Sequence, residues 1–419
     1  MPSSTPPEAA PAEAAGGAGG RPRRLLLGAF GDPGHAFPTI ALGRALRARG
    51  HDVTLQTWER WRPDVEREGM RFAAAPEYHV FPTRERPLKP FEAVTRATRD
   101  TLPLIRELEP DAVVSDILTL APALAAELAG VPCGTLIPHI DPRAAPGAPP
   151  FSLGARLPRT PAGRALWDAL APLVGRGLAH GREELNETRA RLGLPPQERV
   201  HGGISERLAL VATFPQLEYP RSWPRGAHVV GPLLWEPPAG DVPLPPGDSP
   251  LVLVAPSTSQ DADGRLVRAA LTGLRHLDGV RTLVIGDREA LVAATGPPAE
   301  RMTIAPWASY ARTMPACTAV LCHAGHGTLA RALASGCVVI GAPMAGDMNE
   351  CAARADWAGA GVRIPRRLIG PRSVRLAVQR ALGDPRLKAR AEELAAWYAA
   401  RDPASDAAAL VEELAAGRR

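Results

Sequence analysis

Residues 23–58 read RRLLLGAFGDPGHAFPTIALGRALRARGHDVTLQTW, and this stretch decides the fold. Its opening run, LLLGAF, is short and apolar and is bounded by Gly31, Asp32, Pro33 and Gly34, the pattern of a buried strand entering a turn. From Phe37 to Arg49 the apolar residues Ile40, Leu42, Ala45 and Leu46 recur at helical spacing, and Gly50 closes the helix before DVTLQTW (52–58) resumes as a strand. Strand, helix and strand in so short a stretch predict a parallel βαβ unit, with Gly34 and His35 on a loop at the mouth of the first strand.

The pattern extends outward. DAVVSDI (111–117), APALAAELAG (121–130) and PCGTLIP (132–138) add to the same sheet. A proline-dense stretch, GPLLWEPPAGDVPLPPGDSP (231–250), then precedes a second series: LVLVAPS (251–257), a helix near 262–276, RTLVIG (281–286), TAVLCHAG (318–325), a helix from about 327, and CVVIGAP (337–343). The expectation is an α/β chain of two doubly wound, Rossmann-like domains, 23–235 and 251–400, with a linker at 236–250, a terminal helix at 401–419 and a disordered Pro/Ala/Gly tail at 1–22. Segments 78–100 and 139–185 read as irregular connections, and 388–416 as one amphipathic helix on the surface. A site in such a fold is expected in the cleft between the halves, at the carboxyl ends of the strands.

Composition removes several function classes. With 45% hydrophobic and 22% charged residues and no run of eighteen apolar ones, the 419-residue chain is neither disordered nor membrane-spanning. The net charge of +5 rests almost wholly on scattered arginines, with Lys89 and Lys388 the sole lysines, and aromatics make up 5%, so no nucleic-acid platform is expected. Five cysteines without a CxxC pair predict reduced thiols, and the tail has no apolar core of a signal peptide, so a cytoplasmic protein is expected.

The chemistry concentrates at strand ends. CHAGHGTLA (322–330) follows a strand and opens a helix. Gly325 and Gly327 let the backbone approach a ligand, the helix start offers free N–H groups to an anion, and His323 and Thr328 can each add a hydrogen bond. A glycine-softened turn with a satisfied His and a Thr cap is the alternative. In the first half, His35 can take a proton near neutral pH, and Asp116 ends a neighbouring strand where it can orient that imidazole. His51, at a helix end, reads as structural. Asp261-Ala262-Asp263 spells DxD, but at a helix start capping is the better account. Gly28, Gly31 and Gly34 do not spell a dinucleotide loop, and the cysteines give no four-ligand metal set.

The run TIAPWASYARTMPACTAVLCHAGHGTLARALASGCVVIGAPMAGDMNECA (303–352) resembles the nucleotide-sugar box of family 1 glycosyltransferases of the GT-B fold. Their plant members read WAPQ, HCGWNS and P-x-x-x-E/D-Q, and bacterial relatives carry HxGxGT, which His323 to Thr328 fits at every position. The resemblance implies that His323, Gly325, Gly327 and Thr328 bind the donor diphosphate and that Trp307 meets the nucleoside base, against a core Trp as the other reading. It implies that Asp347 grips sugar hydroxyls. VAPSTSQ (254–260) is similar to the family's phosphate-facing turn, which makes Ser257 and Thr258 donor contacts, or else helix caps. GHAFPTIALGRALRARGHDV (34–53) looks like the family's GHxxP helix and GHxV, which gives His35 the role of general base and Asp116 that of its partner.

The family's Gln and Asn are Met348 and Cys351 here, and the loss of the Gln predicts a donor less dependent on that contact, such as a deoxysugar. The resemblance therefore implies an inverting, metal-independent transfer of a sugar from UDP or dTDP to a hydroxyl of a small-molecule, secondary-metabolite acceptor. The nucleoside diphosphate sugar is a co-substrate and no cofactor is expected. Tyr78, Phe81, His139 and Phe151, with His79 and Trp167, fall in the segments expected to wall the acceptor pocket. A nucleotide-sugar epimerase and a non-catalytic sugar-nucleotide-binding protein remain as alternatives, and the oligomeric state stays open.

Overall fold

The computed structural model describes residues 21–76, 90–257, 261, 263–344 and 346–417. Residues 1–20 of the tail, together with Tyr78, His79, Phe81 and Thr258, lie outside the described residues.

The first sheet holds β1 (Arg24–Gly28), β2 (Asp52–Thr57), β3 (Arg71–Ala74), β4 (Ala112–Asp116), β5 (Cys133–Ile137), β6 (Ala209–Val211) and β7 (Ala227–Val229), in the order β3-β2-β1-β4-β5-β6-β7. The second holds β8 (Leu251–Ala255), β9 (Arg281–Ile285), β10 (Met302–Ala305), β11 (Ala319–Cys322), β12 (Val338–Gly341) and β13 (Gly361–Arg363), in the order β10-β9-β8-β11-β12-β13. Every neighbouring pair is parallel. The central strands are buried on both faces, as Leu26, Leu27, Val113 and Val252 to Ala255 show, and this is why they read as unbroken apolar runs. Chain order reverses between β1 and β4 in one sheet and between β8 and β11 in the other, and such switch points open a crevice at the strands' carboxyl ends.

The helices are α1 (Pro33–Ala48), α2 (Arg62–Arg67), α3 (Pro90–Leu108), α4 (Leu120–Leu128), α5 (Pro161–Arg191), α6 (Arg265–Leu274), α7 (Arg288–Thr295), α8 (Tyr310–Thr313), α9 (His326–Ala334), α10 (Asp347–Trp357), α11 (Pro371–Gly383), α12 (Pro385–Ala399) and α13 (Pro403–Ala415). Three expectations are corrected. First, α1 opens at Pro33, which suits a first helical position because its missing N–H has no partner to lose there, and the Asp32 carbonyl accepts from His35 N and Ala36 N at 2.9 Å. His35 thus stands in the first helical turn and not on a loop.

Second, the segments read as irregular, 78–100 and 139–185, run into α3 and the 31-residue α5. Their internal Pro103 and Pro172, and Gly163, Gly175, Gly177 and Gly181 in α5, mask the helical pattern. Third, the stretch read as one surface helix breaks at Pro403. Asp402 accepts from Ser405 N at 3.0 Å to start α13, which leaves the second half and lays Ala407, Ala408, Val411 and Leu414 into the core of the first, beside Leu25, Leu27, Leu46 and Leu136. Gly134 makes room, with Leu414 3.3 Å from where a Cβ would stand.

A charged cluster seals this return. Arg49 grips Glu412 with Nε at 2.8 Å and Nη2 at 2.7 Å, and His51 Nε2 lies 2.7 Å from the same carboxylate, so His51 is structural. These bonds, Arg49 foremost, hold the Glu412 carboxyl below its ordinary value. A lowered folded value means stability that is present above the ordinary carboxylate value and lost as pH falls through the folded one. Glu412→Gln is therefore expected to cost about 0.5–1.5 kcal/mol at neutral pH. In urea denaturation the gap to the wild type should close as the acid is approached, and a constant gap at every pH would refute the assignment.

Candidate active site

His35 and Asp116 are 81 positions apart and meet because β1 and β4 are neighbours, with Gly28 opposite Ser115. His35 Nδ1 lies 2.9 Å from Asp116 Oδ1. Asp116 is fully buried, and its carboxylate also accepts from Phe30 N at 3.1 Å and Leu118 N at 3.4 Å, so it is held from three sides. A carboxylate can only accept, so Nδ1 carries the proton and Nε2 keeps the free lone pair. Burial opposes the imidazolium, yet the Asp116 hydrogen bond and the charges of Asp116, Asp347 and Asp32 outweigh it, and His35 is raised above its ordinary value. Asp347, at the head of α10 in the second half, is thus one of the charges that His35 feels.

His139 stands two residues past β5, its ring 6.1 Å from that of His35 and 6.2 Å from that of Phe151. Its Nδ1 donates to the Ile140 carbonyl at 2.7 Å, while burial and the neighbouring His35 lower its proton affinity, which keeps it neutral. Two wall residues escaped the sequence reading. Phe30 meets His35 edge-on at 6.0 Å, and Trp58 meets Phe30 at 5.0 Å. Trp58 directly follows β2, whose Gln56 pairs with Gly28, so the strand-end rule that picks out Asp116 also picks out this Trp. A Cβ on Gly31 would collide with Trp58 Cδ2, so any side chain there would have to displace the indole.

In the second half β11 ends with Cys322 opposite Ala255, and His323 follows. Its Nδ1 is 3.5 Å from the Ala255 carbonyl, at the limit of a hydrogen bond, and burial lowers its proton affinity. Ala324 turns the chain at φ +63°, a conformation that costs a non-glycine residue energy and recurs at ligand-binding turns. Gly325 is the N-cap of α9 and offers no side chain to its first N–H groups, while a Cβ on Gly327 would meet nothing within 4 Å. The helix start is therefore open to an anion, with His326, Gly327 and Thr328 as its first three residues. Ser257 lies two residues past β8, on the neighbouring strand end.

His326, which the sequence reading passed over, is buried and its Nε2 is 2.9 Å from Thr213 Oγ1 of the first half; burial drops it to about 3. Trp307 is 47% exposed, which removes the core reading of that residue. Asp261 accepts from Arg265 N at 2.8 Å and Leu266 N at 3.1 Å, the first two N–H groups of α6, so the first acid of DxD serves the helix start. Met348 packs against the core of the second half and Cys351 is buried within it. Trp167 lies on α5.

Residues 25–135 match the glycosyltransferase family 28 N-terminal domain, and residues 273–414 match the erythromycin biosynthesis protein CIII-like C-terminal domain. The chain is 28% identical to 4'-demethylrebeccamycin synthase of Lentzea aerocolonigenes, over 93% of this chain and 99% of that protein. It is also 28% identical to O-mycaminosyltylonolide 6-deoxyallosyltransferase of Streptomyces fradiae, over 94% and 98%. Among solved structures, glycosyltransferase VinC in complex with dTDP superposes with a TM-score of 0.69 at 18% identity, over 94% of this chain and all of that one. By its two matched domains and its pair of facing parallel sheets, the chain belongs to the glycosyltransferases of the GT-B fold.

Proposed function

We propose that the chain transfers a sugar, with inversion, from a nucleoside diphosphate to a hydroxyl of a small apolar natural product. The carrying observation is the His35–Asp116 pair, in which Asp116 holds Nδ1 at 2.9 Å and leaves Nε2 as the basic nitrogen. In this reading Nε2 removes the acceptor proton while the oxygen attacks the anomeric carbon opposite the leaving diphosphate, and Asp116 stabilises the imidazolium. Asp347 holds sugar hydroxyls, as a carboxylate can accept two at once. His323, Gly325, Gly327 and Thr328 receive the charge that builds on the diphosphate, with Ser257 beside them, and no metal is needed.

The reading of dTDP as carrier is supported by the dTDP named for VinC, and that of a deoxysugar by the deoxyallosyl group named for the Streptomyces fradiae relative. Phe30, Trp58, His139 and Phe151 support an apolar ring system as acceptor, with His35 turned to its hydroxyl. Incubation with a panel of dTDP- and UDP-sugars and phenolic and polyketide acceptors, in EDTA and read by mass spectrometry, should give a glycoside. Interconversion of the nucleotide sugar with no acceptor present would establish an epimerase instead, and binding without product a non-catalytic protein.

A further inference from the structure

The head of α10 carries Asp347, and the same helix face carries Glu350 and Arg354, three and seven residues on. Arg354 reaches out of the second half: its Nη1 donates to Glu218 Oε2 at 2.9 Å and to the Leu217 carbonyl at 3.3 Å, its Nε donates to Glu350 Oε1 at 2.8 Å, and its guanidinium lies 3.9 Å over the Tyr219 ring. Glu218 in turn accepts from Asp141 N at 2.8 Å and from Arg221 Nη2 at 3.1 Å. Asp141 follows Ile140, whose carbonyl fixes His139. An unbroken chain of bonds thus runs from the helix that begins with Asp347 to the wall that holds His139.

The side chains of Arg354, Glu218 and Glu350 are at most 5% exposed. Buried ion pairs lose in desolvation much of what they gain in attraction, and well-packed apolar residues often serve stability as well. What a forked guanidinium adds is direction, because its donors fix both distance and orientation. The apolar contacts between the halves, Phe214, Leu217 and Ile140 against the second core, resist separation and leave sliding less restrained.

We propose that Arg354 is a positioning residue for sugar transfer: its bond to Glu218 holds α10 in register on the first half and so sets the reach from the Asp347 carboxylate to the His35 imidazole. The inference rests on the reading of Asp347 as the sugar-binding acid. Misplacement of reacting groups by about 1 Å can cost up to 10²-fold in rate, so Arg354→Gln and Glu218→Gln are each expected to lower kcat by roughly tenfold. Affinity for free dTDP, whose proposed contacts all lie in the second half, should stay within about threefold, and the double variant should be no slower than the slower single one because both break the same bond.

The test combines kcat and KM with dTDP calorimetry and a thermal melt on the wild type, both single variants and the double variant, with Arg354→Lys as a milder change should Gln prevent folding. Lower kcat with intact dTDP binding and a non-additive double variant supports the proposal. Variants that melt earlier yet keep kcat overturn it and leave glycosyl transfer standing. A fall in kcat matched by lost dTDP affinity also overturns it, since the pair would then shape the anion site. A wild type that forms no glycoside with any donor overturns both readings.

Discussion

Replacing His35 by alanine is expected to lower kcat by roughly 10²- to 10⁴-fold, the range for loss of a general base, while dTDP binding survives. The two effects separate because His35 belongs to the first half, and the helix start proposed to receive the diphosphate belongs to the second. The pH dependence adds a sign. The base must be neutral to act, and Asp116 holds His35 above its ordinary value, so kcat/KM should rise with pH through that raised value and then level off. Asp116→Asn removes both the charge and the acceptor for the Nδ1 proton. The rising limb should move to lower pH as the imidazolium loses its support, and the plateau should fall because the wrong tautomer becomes available. Full activity in the alanine variant, or a pH profile unmoved in the asparagine one, would remove His35 from the reaction.

The legible part of this molecule is the part built from buried parallel strands. Runs such as LVLVA are apolar on both faces, and the end of each run marks a position worth reading: Asp116 closes β4, His323 directly follows β11, and His35 stands in the first turn of the helix after β1. Trp58 obeys the same rule and escaped because an aromatic after a strand has no motif to mark it. Pairs that join the two halves were not legible. Arg354 and Glu218 are separated by 136 positions, His326 and Thr213 by 113, and neither pair leaves any periodic trace. Helix α5 escaped for a local reason: four glycines and an internal proline contradict a helix that holds in the fold all the same. Helix α13 was legible as a helix and illegible as core, since its apolar stripe does not say which half it will cover.

Gly325→Ala is expected to weaken dTDP binding by roughly ten- to a hundredfold, the size of one lost hydrogen bond to a charged group. The backbone itself would accept the change, because Gly325 sits at φ −58° and ψ 137°, where alanine is unstrained. The obstacle is the His323 ring. A Cβ at position 325 would collide with Nε2 and stand 3.0 Å from Cδ2, so the imidazole has to swing away from the helix start. His323 is also held at Nδ1 by the Ala255 carbonyl, so the swing costs that contact as well. The substitution thus acts through the neighbouring side chain alone, and this makes the argument testable by non-additivity. His323→Ala should weaken dTDP binding to a similar degree. In the combined variant, with the ring gone, the new methyl group collides with nothing, and affinity should equal that of His323→Ala. If the losses multiplied instead, the alanine at 325 would be blocking the anion directly and independently of the His323 ring.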